Sequence, residues 1–194
     1  WWCVHFLASG HGADEVLGIL ALPELARLKE LHMTGCPLAD EGVMRLVDGP
    51  FLRDIDALTL RDVGLTADGA VALARAEALD AVVHLDLSQN PIGSAGLRAL
   101  LAGRRLESVR GLGLALTGLD ATGAYALLAS PTLDRLRWLD LSQNLLGDRG
   151  VLALGAHNAL PADLHLVLSR NRATRNAVER IVHRLSECIS QLVI

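Results

Sequence analysis

Cysteine, lysine, aromatic residues and long apolar runs are all scarce in this sequence. Its three cysteines, Cys3, Cys36 and Cys188, are odd in number and widely spaced. That excludes a disulfide framework and points to a reducing compartment. No apolar run reaches the ~18–20 residues of a membrane span, and no export-signal pattern opens the chain. A cytoplasmic protein without membrane contact is therefore expected. Lys29 is the only lysine and the formal net charge is −4, so nothing electrostatic favours nucleic acid or anionic lipid. Aromatics make up 3% of the 194 residues against 51% hydrophobic. Leu, Ala, Val and Gly must then build the core, which suits a thin, regular stack. There is no initiator Met, and the start at Trp1-Trp2 reads as that of a fragment or processed product lacking earlier repeats.

What the chain does have is a strict period of 27 residues. Leu31, Leu58, Leu85, Leu112, Leu139 and Leu166 form one column, and Met33, Leu60, Leu87, Leu114, Leu141 and Leu168 a second, two residues on. Leu38, Leu65, Ile92, Leu119 and Leu146 form a third, Gly42, Gly69, Gly96, Gly123 and Gly150 a fourth, and Leu46, Leu73, Leu100, Leu127 and Leu154 a fifth. The first two columns alternate with outward residues at period two, the mark of a short strand.

An Asn column (Asn90, Asn144, Asn171) follows the strand, where a side-chain amide can bond backbone groups exposed at a turn. Cys36, Val63 and Thr117 stand there in other units. Val63 cannot hydrogen-bond through its side chain, so a looser turn is expected at that unit. Asp40, Thr66 or Asp68, Ser94, Asp120 or Thr122, and Asp148 then mark helix starts as N-cap residues. The glycine column falls in the first helical turn, at a cost of roughly 0.5–1 kcal/mol each relative to Ala. Its recurrence is expected to reflect a helix packed too close to the strand for a Cβ.

The best copies, HLDLSQNPIG (His84 to Gly93) and WLDLSQNLLG (Trp138 to Gly147), resemble the leucine-rich-repeat motif LxxLxLxxNxL. With the Gly and apolar helix that follow, as in SAGLRALLAG (Ser94 to Gly103), the unit looks like the ribonuclease-inhibitor-like class. That class includes the Ran GTPase-activating proteins and the repeat region of many innate immune receptors. The resemblance covers roughly residues 25 to 185. It implies a right-handed α/β horseshoe arc, with a parallel sheet on the concave face and helices on the convex face, working by protein binding.

The chain reads as a single domain over 1–194. Residues 1–22 form a degenerate or truncated first repeat, 23–171 about five regular repeats and the start of a sixth, and 172–194 a capping helix and tail. Trp1 and Trp2 either packed on a missing repeat or fray. The last helix is expected from about Thr174 to Ile189, with an apolar stripe of Val178, Ile181, Val182, Leu185 and Cys188. The apolar tail, Gln191 to Ile194, either folds back over the last repeat or leads into further chain.

Alternation assigns three outward columns on the concave face. The first is Cys3, Glu30, Ala57, His84, Gly111, Trp138 and His165; the second is His5, His32, Thr59, Asp86, Gly113, Asp140 and Val167; the third is Leu7, Thr34, Arg61, Ser88, Ala115, Ser142 and Ser169. Unlike the core columns they are heterogeneous. Trp138, Asp140, Asp86, His84, His165, Arg61 and His32 are the candidate partner-binding residues. Trp is enriched at binding hot spots. Trp138 either contacts a partner beside the dip left by Gly111, with His84 as the far wall, or simply lies across Gly111. Asp86 and Asp140, flanking Gly113, would suit a basic or amide-rich partner segment.

Chemistry is not expected. Asp86 and Asp140 lie two strands apart, about 10 Å between backbones, too far to share one ion. His5 and His32 read as solvated imidazoles, Cys3 as accessible if its unit is frayed, Cys36 as a buried turn residue, and Arg104, Arg105 and Arg110 as a solvated loop. There is no Walker A, GxSxG or CxxC pattern. No catalytic residue, metal or cofactor is assigned. The expected function is a protein-interaction module, as a monomer or within a larger chain. The alternative is the repeat region of a larger regulator, sensor or effector, such as a GTPase regulator or innate-immune-like receptor.

Overall fold

The computed structural model describes residues 2–7, 12–25, 27–157, 160–185 and 189–194, with Trp2 as backbone only. The expectations on Trp1, the Trp2 side chain and Cys188 lie outside the described residues.

Each strand of the period-two columns is followed by a helix. In chain order these are β1 (Trp2–Leu7), α1 (Ala13–Leu20), β2 (Leu28–Thr34), α2 (Ala39–Asp48), β3 (Ala57–Arg61), α3 (Ala67–Leu73), β4 (His84–Asp86) and α4 (Gly93–Ala102). They continue as β5 (Gly111–Gly113), α5 (Ala121–Leu128), β6 (Trp138–Asp140), α6 (Gly147–Ala156), β7 (His165–Val167), α7 (Arg175–Leu185) and β8 (Gln191–Val193). The strands form one parallel sheet in sequence order. Register follows the repeat, with Leu58, Leu85, Leu112, Leu139 and Leu166 side by side. This is an α/β leucine-rich-repeat solenoid. Helices are about 10 Å wide and strands about 4.8 Å apart, so stacking them in step curves the sheet inward.

The column leucines from Leu31 to Leu166 are at most 1% exposed. At ~1.5–3 kcal/mol for each buried aliphatic side chain, this spine outweighs the helical glycine cost several times over. The glycines answer to a different neighbour than the sequence suggested. A Cβ at Gly96 would lie 3.1 Å from Ala67 Cα, and one at Gly150 3.2 Å from Ala121 Cα. The close approach is to the preceding unit's helix, not to the strand, and it sets how tightly the helices stack.

Turns and caps follow a longer period than the strands. Thr66 and Asp120 cap their own helices, accepting from the Asp68 and Thr122 N–H groups. Asp40, Ser94 and Asp148 do not. Their helices already begin at Ala39, Gly93 and Gly147, and their side chains reach one unit forward. Asp40 accepts from the Thr66 N–H (2.7 Å) and hydroxyl (2.6 Å), and Asp148 likewise from Thr174 (2.6 and 2.9 Å). The Ser94 hydroxyl donates to Asp120 at 2.7 Å and accepts from its N–H at 3.1 Å. Backbone bonds repeat the pattern, from the N–H groups of Ala39, Gly93 and Gly147 to the carbonyls of Val63, Thr117 and Asn171. Units therefore join in pairs, with a repeat of two periods.

The turn at Val63 is not loose. Asn90, from the next unit, accepts from the Val63 and Leu65 N–H groups at 3.1 and 3.0 Å. On the last helix Ala177, Ile181 and Leu185 are buried, whereas Val182 is 42% exposed, so the apolar stripe runs through Ala177 rather than Val182. The tail pairs as β8 beside β7, with Leu192 against Leu166.

Candidate functional site

The outward positions of the middle strands divide into open and closed. In the third column Ser88, Ala115 and Ser142 are buried, which corrects their placement on the open surface. Two local bonds close this edge. Asp86 Oδ1 accepts from the Ser88 N–H at 2.9 Å and Asp140 Oδ1 from the Ser142 N–H at 2.8 Å. The Ser88 hydroxyl accepts from the Ala115 N–H at 3.1 Å. Each aspartate thus engages one oxygen in its own turn.

Gly111 and Gly113 are buried as well. The atoms nearest to a Cβ built at Gly111 all belong to His84, and those at Gly113 to Asp86. The expected dip beside the indole is therefore filled from the β4 side by His84. His84 itself is exposed, and Trp138, Asp140, Asp86 and His165 are half-buried.

Register places Gly111, Trp138 and His165 in line on β5, β6 and β7, and His84 beside Gly111. These strands bring five of the seven candidates together. Buried Nε2 of His165 has no hydrogen-bond partner among the described residues. Arg61 and His32 sit apart on β3 and β2, both half-buried.

The loops after the strands add residues that the periodicity did not single out. Leu116 is 49% exposed and has φ +54°, a left-handed conformation that costs a bulky side chain about 1–2 kcal/mol. Gln89, Gln143 and Arg170 adopt the same conformation at the equivalent positions, so the turn imposes it, and only Leu116 spends it on exposing a large apolar group there. Leu145 is 45% exposed in the adjacent loop. Together they give the rim of the sheet an apolar element. The sequence signal was a leucine outside the spine columns.

At the other end of the sheet His5 and His32 are not free imidazoles. Their rings stack with centroids 4.5 Å apart. His32 Nδ1 lies 2.8 Å from Thr59 Oγ1 and its Nε2 3.5 Å from Glu30. Cys3 is exposed although its strand is paired with β2, with Sγ 3.1 Å from His5 Nε2. Its thiol is raised above the ordinary value, first by burial and then by the hydrogen bond and charge of Glu30. Cys36 is buried. Of the expected solvated arginines, Arg105 pairs with Asp80 at 2.6 Å and Arg110 donates to the Glu107 carbonyl at 3.0 Å. No helix of the described residues is long and apolar enough to cross a membrane.

The family model described as Leucine Rich repeat matches residues 27–47, 82–101 and 136–155. These are alternate units, the first members of the pairs seen in the turns. Among solved structures, the chain is similar to one in the yeast Rad7 and Elc1 complex, with TM-score 0.65 and 20% identity, covering 88% of this chain and 42% of that one. It is also similar to a protein from Bacteroides fragilis, with TM-score 0.52 and 13% identity, covering 96% of this chain and 62% of that one. At these identities the likeness is one of fold, and the chain spans less than two thirds of either protein. No curated protein matches.

Proposed function

We propose that this leucine-rich-repeat protein is an interaction module that binds a partner protein on its concave face and has no catalysis of its own. The observation that carries this reading is the contrast between the two sides of each strand. Inward positions are uniform and buried, whereas outward ones differ from unit to unit and leave Trp138, His84, Asp86, Asp140 and His165 in contact with solvent. Stability asks for no such variety. An open curved sheet favours a macromolecule over a metabolite. The carboxylates of Asp86 and Asp140 suit a basic or amide-rich segment, and Leu116 and Leu145 suit its apolar neighbours. The structural neighbour of known assembly, the Rad7 and Elc1 complex, agrees with a protein partner. The net charge of −4 speaks against nucleic acid and anionic membrane. Action in the cytoplasm, as a monomer or within a longer chain, completes the reading.

Photo-crosslinking tests it. A photoreactive residue at position 138 or 165 should capture the partner, and one at Tyr125, exposed on α5, should not. Capture from position 125 and not from 138 or 165 would overturn the reading. A second reading, the repeat region of a larger regulator, is favoured by the 42% and 62% coverage of the similar chains. It predicts that the longer reading frame encodes a nucleotide-binding or catalytic domain.

A further inference from the structure

Four neighbouring outward positions on β1 and β2 hold Cys3, His5, Glu30 and His32, in the register Cys3 beside Glu30 and His5 beside His32. One ligand atom each from Cys3, His5 and His32 lie within 4.8 Å of one another. We propose that Cys3, His5 and His32 bind a zinc ion on the concave face of the first two units, with the Glu30 carboxylate closing the fourth position.

The ligand set carries the choice of metal. A thiolate with two imidazoles selects the zinc class over magnesium and calcium, which take oxygen. Bonds of about 2.0–2.3 Å to one zinc ion put its ligand atoms roughly 3–4 Å apart. Cys3 Sγ and His5 Nε2 are already 3.1 Å apart. The remaining separations close by side-chain rotation, because strand pairing fixes the four backbone positions. The two rings, now parallel to within 11°, must open so that both lone pairs converge. Thr59 prepares this. When zinc takes His32 Nε2 in place of its 3.5 Å contact with Glu30, the ring proton sits on Nδ1 and is donated to Thr59 Oγ1, already 2.8 Å away, the usual second-sphere arrangement of a ligating histidine.

Loading is balanced by one proton. Zinc displaces the thiol proton of Cys3 to solvent as the zinc–thiolate bond forms.

This site is separate from the Trp138 surface and does not depend on the partner.

The test is titration of the untagged chain with Zn²⁺ by calorimetry and with Co²⁺ by absorption. One equivalent of zinc should bind, releasing about one proton, and Co²⁺ should give a thiolate charge-transfer band. Cys3→Ser should abolish the band and weaken zinc at least tenfold, as should His5→Ala and His32→Ala. Thr59→Val should weaken zinc about tenfold, the lower end of the effect of losing a second-sphere partner, and leave the band in place. Tyr125→Ala, on the exposed side of α5, should leave zinc binding unchanged. Circular dichroism should show all variants folded, since Cys3 and His5 are exposed and His32 and Thr59 only half-buried. No stoichiometric uptake, or equal uptake by Cys3→Ser and His32→Ala, would overturn the proposal.

Discussion

The side chain of Asn144 reaches back one unit to hold the turn at Thr117, whose N–H and hydroxyl donate to its Oδ1 at 3.0 and 3.3 Å. The same oxygen accepts from the Leu119 N–H at 3.0 Å, and Nδ2 donates to the Leu114, Leu141 and Ser142 carbonyls at 2.7, 3.0 and 3.2 Å. One buried amide therefore satisfies backbone groups of two successive units, which is how a stack of short strands stays in register.

Asn171 stands one period later and does less. Its Nδ2 donates to the Leu141 and Leu168 carbonyls, both at 2.8 Å, but its Oδ1 has no partner among the described residues. Each buried polar group left unpaired costs about 1–3 kcal/mol. Asn144→Ala should lower stability by about 3 kcal/mol or more, and Asn171→Ala by roughly half that. Urea unfolding midpoints check the order, and an equal or larger loss at Asn171 would contradict it.

Asp120 ties pH to the pairing of units. Bonds from the Thr122 and Ser94 side chains, and then from the Thr122 and Gly123 backbone, lower its pKa to about 2 against a smaller opposing effect of burial. A folded pKa below the unfolded one, near 3.9, contributes stability above about pH 4 that is lost as pH falls through about 2. Melting temperatures of the protein and of Asp120→Asn should differ at pH 5 and converge by pH 2. A difference that grows as pH falls would show the opposite sign. The group is exposed, so added salt should narrow the gap.

Glu30 should slow the chemistry of Cys3. Burial and then the Glu30 carboxylate raise the Cys3 thiol, and the thiolate is the nucleophile. In metal-free buffer at pH 7, Glu30→Gln should speed alkylation of Cys3, read by peptide mapping. An unchanged rate would remove the carboxylate as a cause.

The 27-residue strand–helix unit and its leucine spine were legible because each column repeats one burial environment, and period two marks which face is inward. The pairing of units was less legible. Asp40, Ser94 and Asp148 are good N-cap residues by type, and residue type does not say that a side chain caps the helix 26 positions on. A signal existed, since HLDLSQN and WLDLSQN stand two periods apart, with Thr117 replacing the Asn between them and Val63 replacing it one period before the first. In the candidate site, alternation identified the outward strand positions. It did not foresee that Ser88 and Ser142 are closed over by their own turns, or that His84 and Asp86 lean over two glycines. Those outcomes depend on side-chain reach across strands. The cluster of Cys3, His5 and His32 is hidden in the sequence for the same reason, since its members lie in two columns and on two strands.

The most direct test of concave-face binding is the affinity of Trp138→Ala for the partner captured from position 138 or 165, measured beside its melting temperature. Loss of a hot-spot Trp costs about 2 kcal/mol or more, so affinity should fall roughly thirtyfold with the melting temperature nearly unchanged. Full affinity in a folded Trp138→Ala protein would contradict the account.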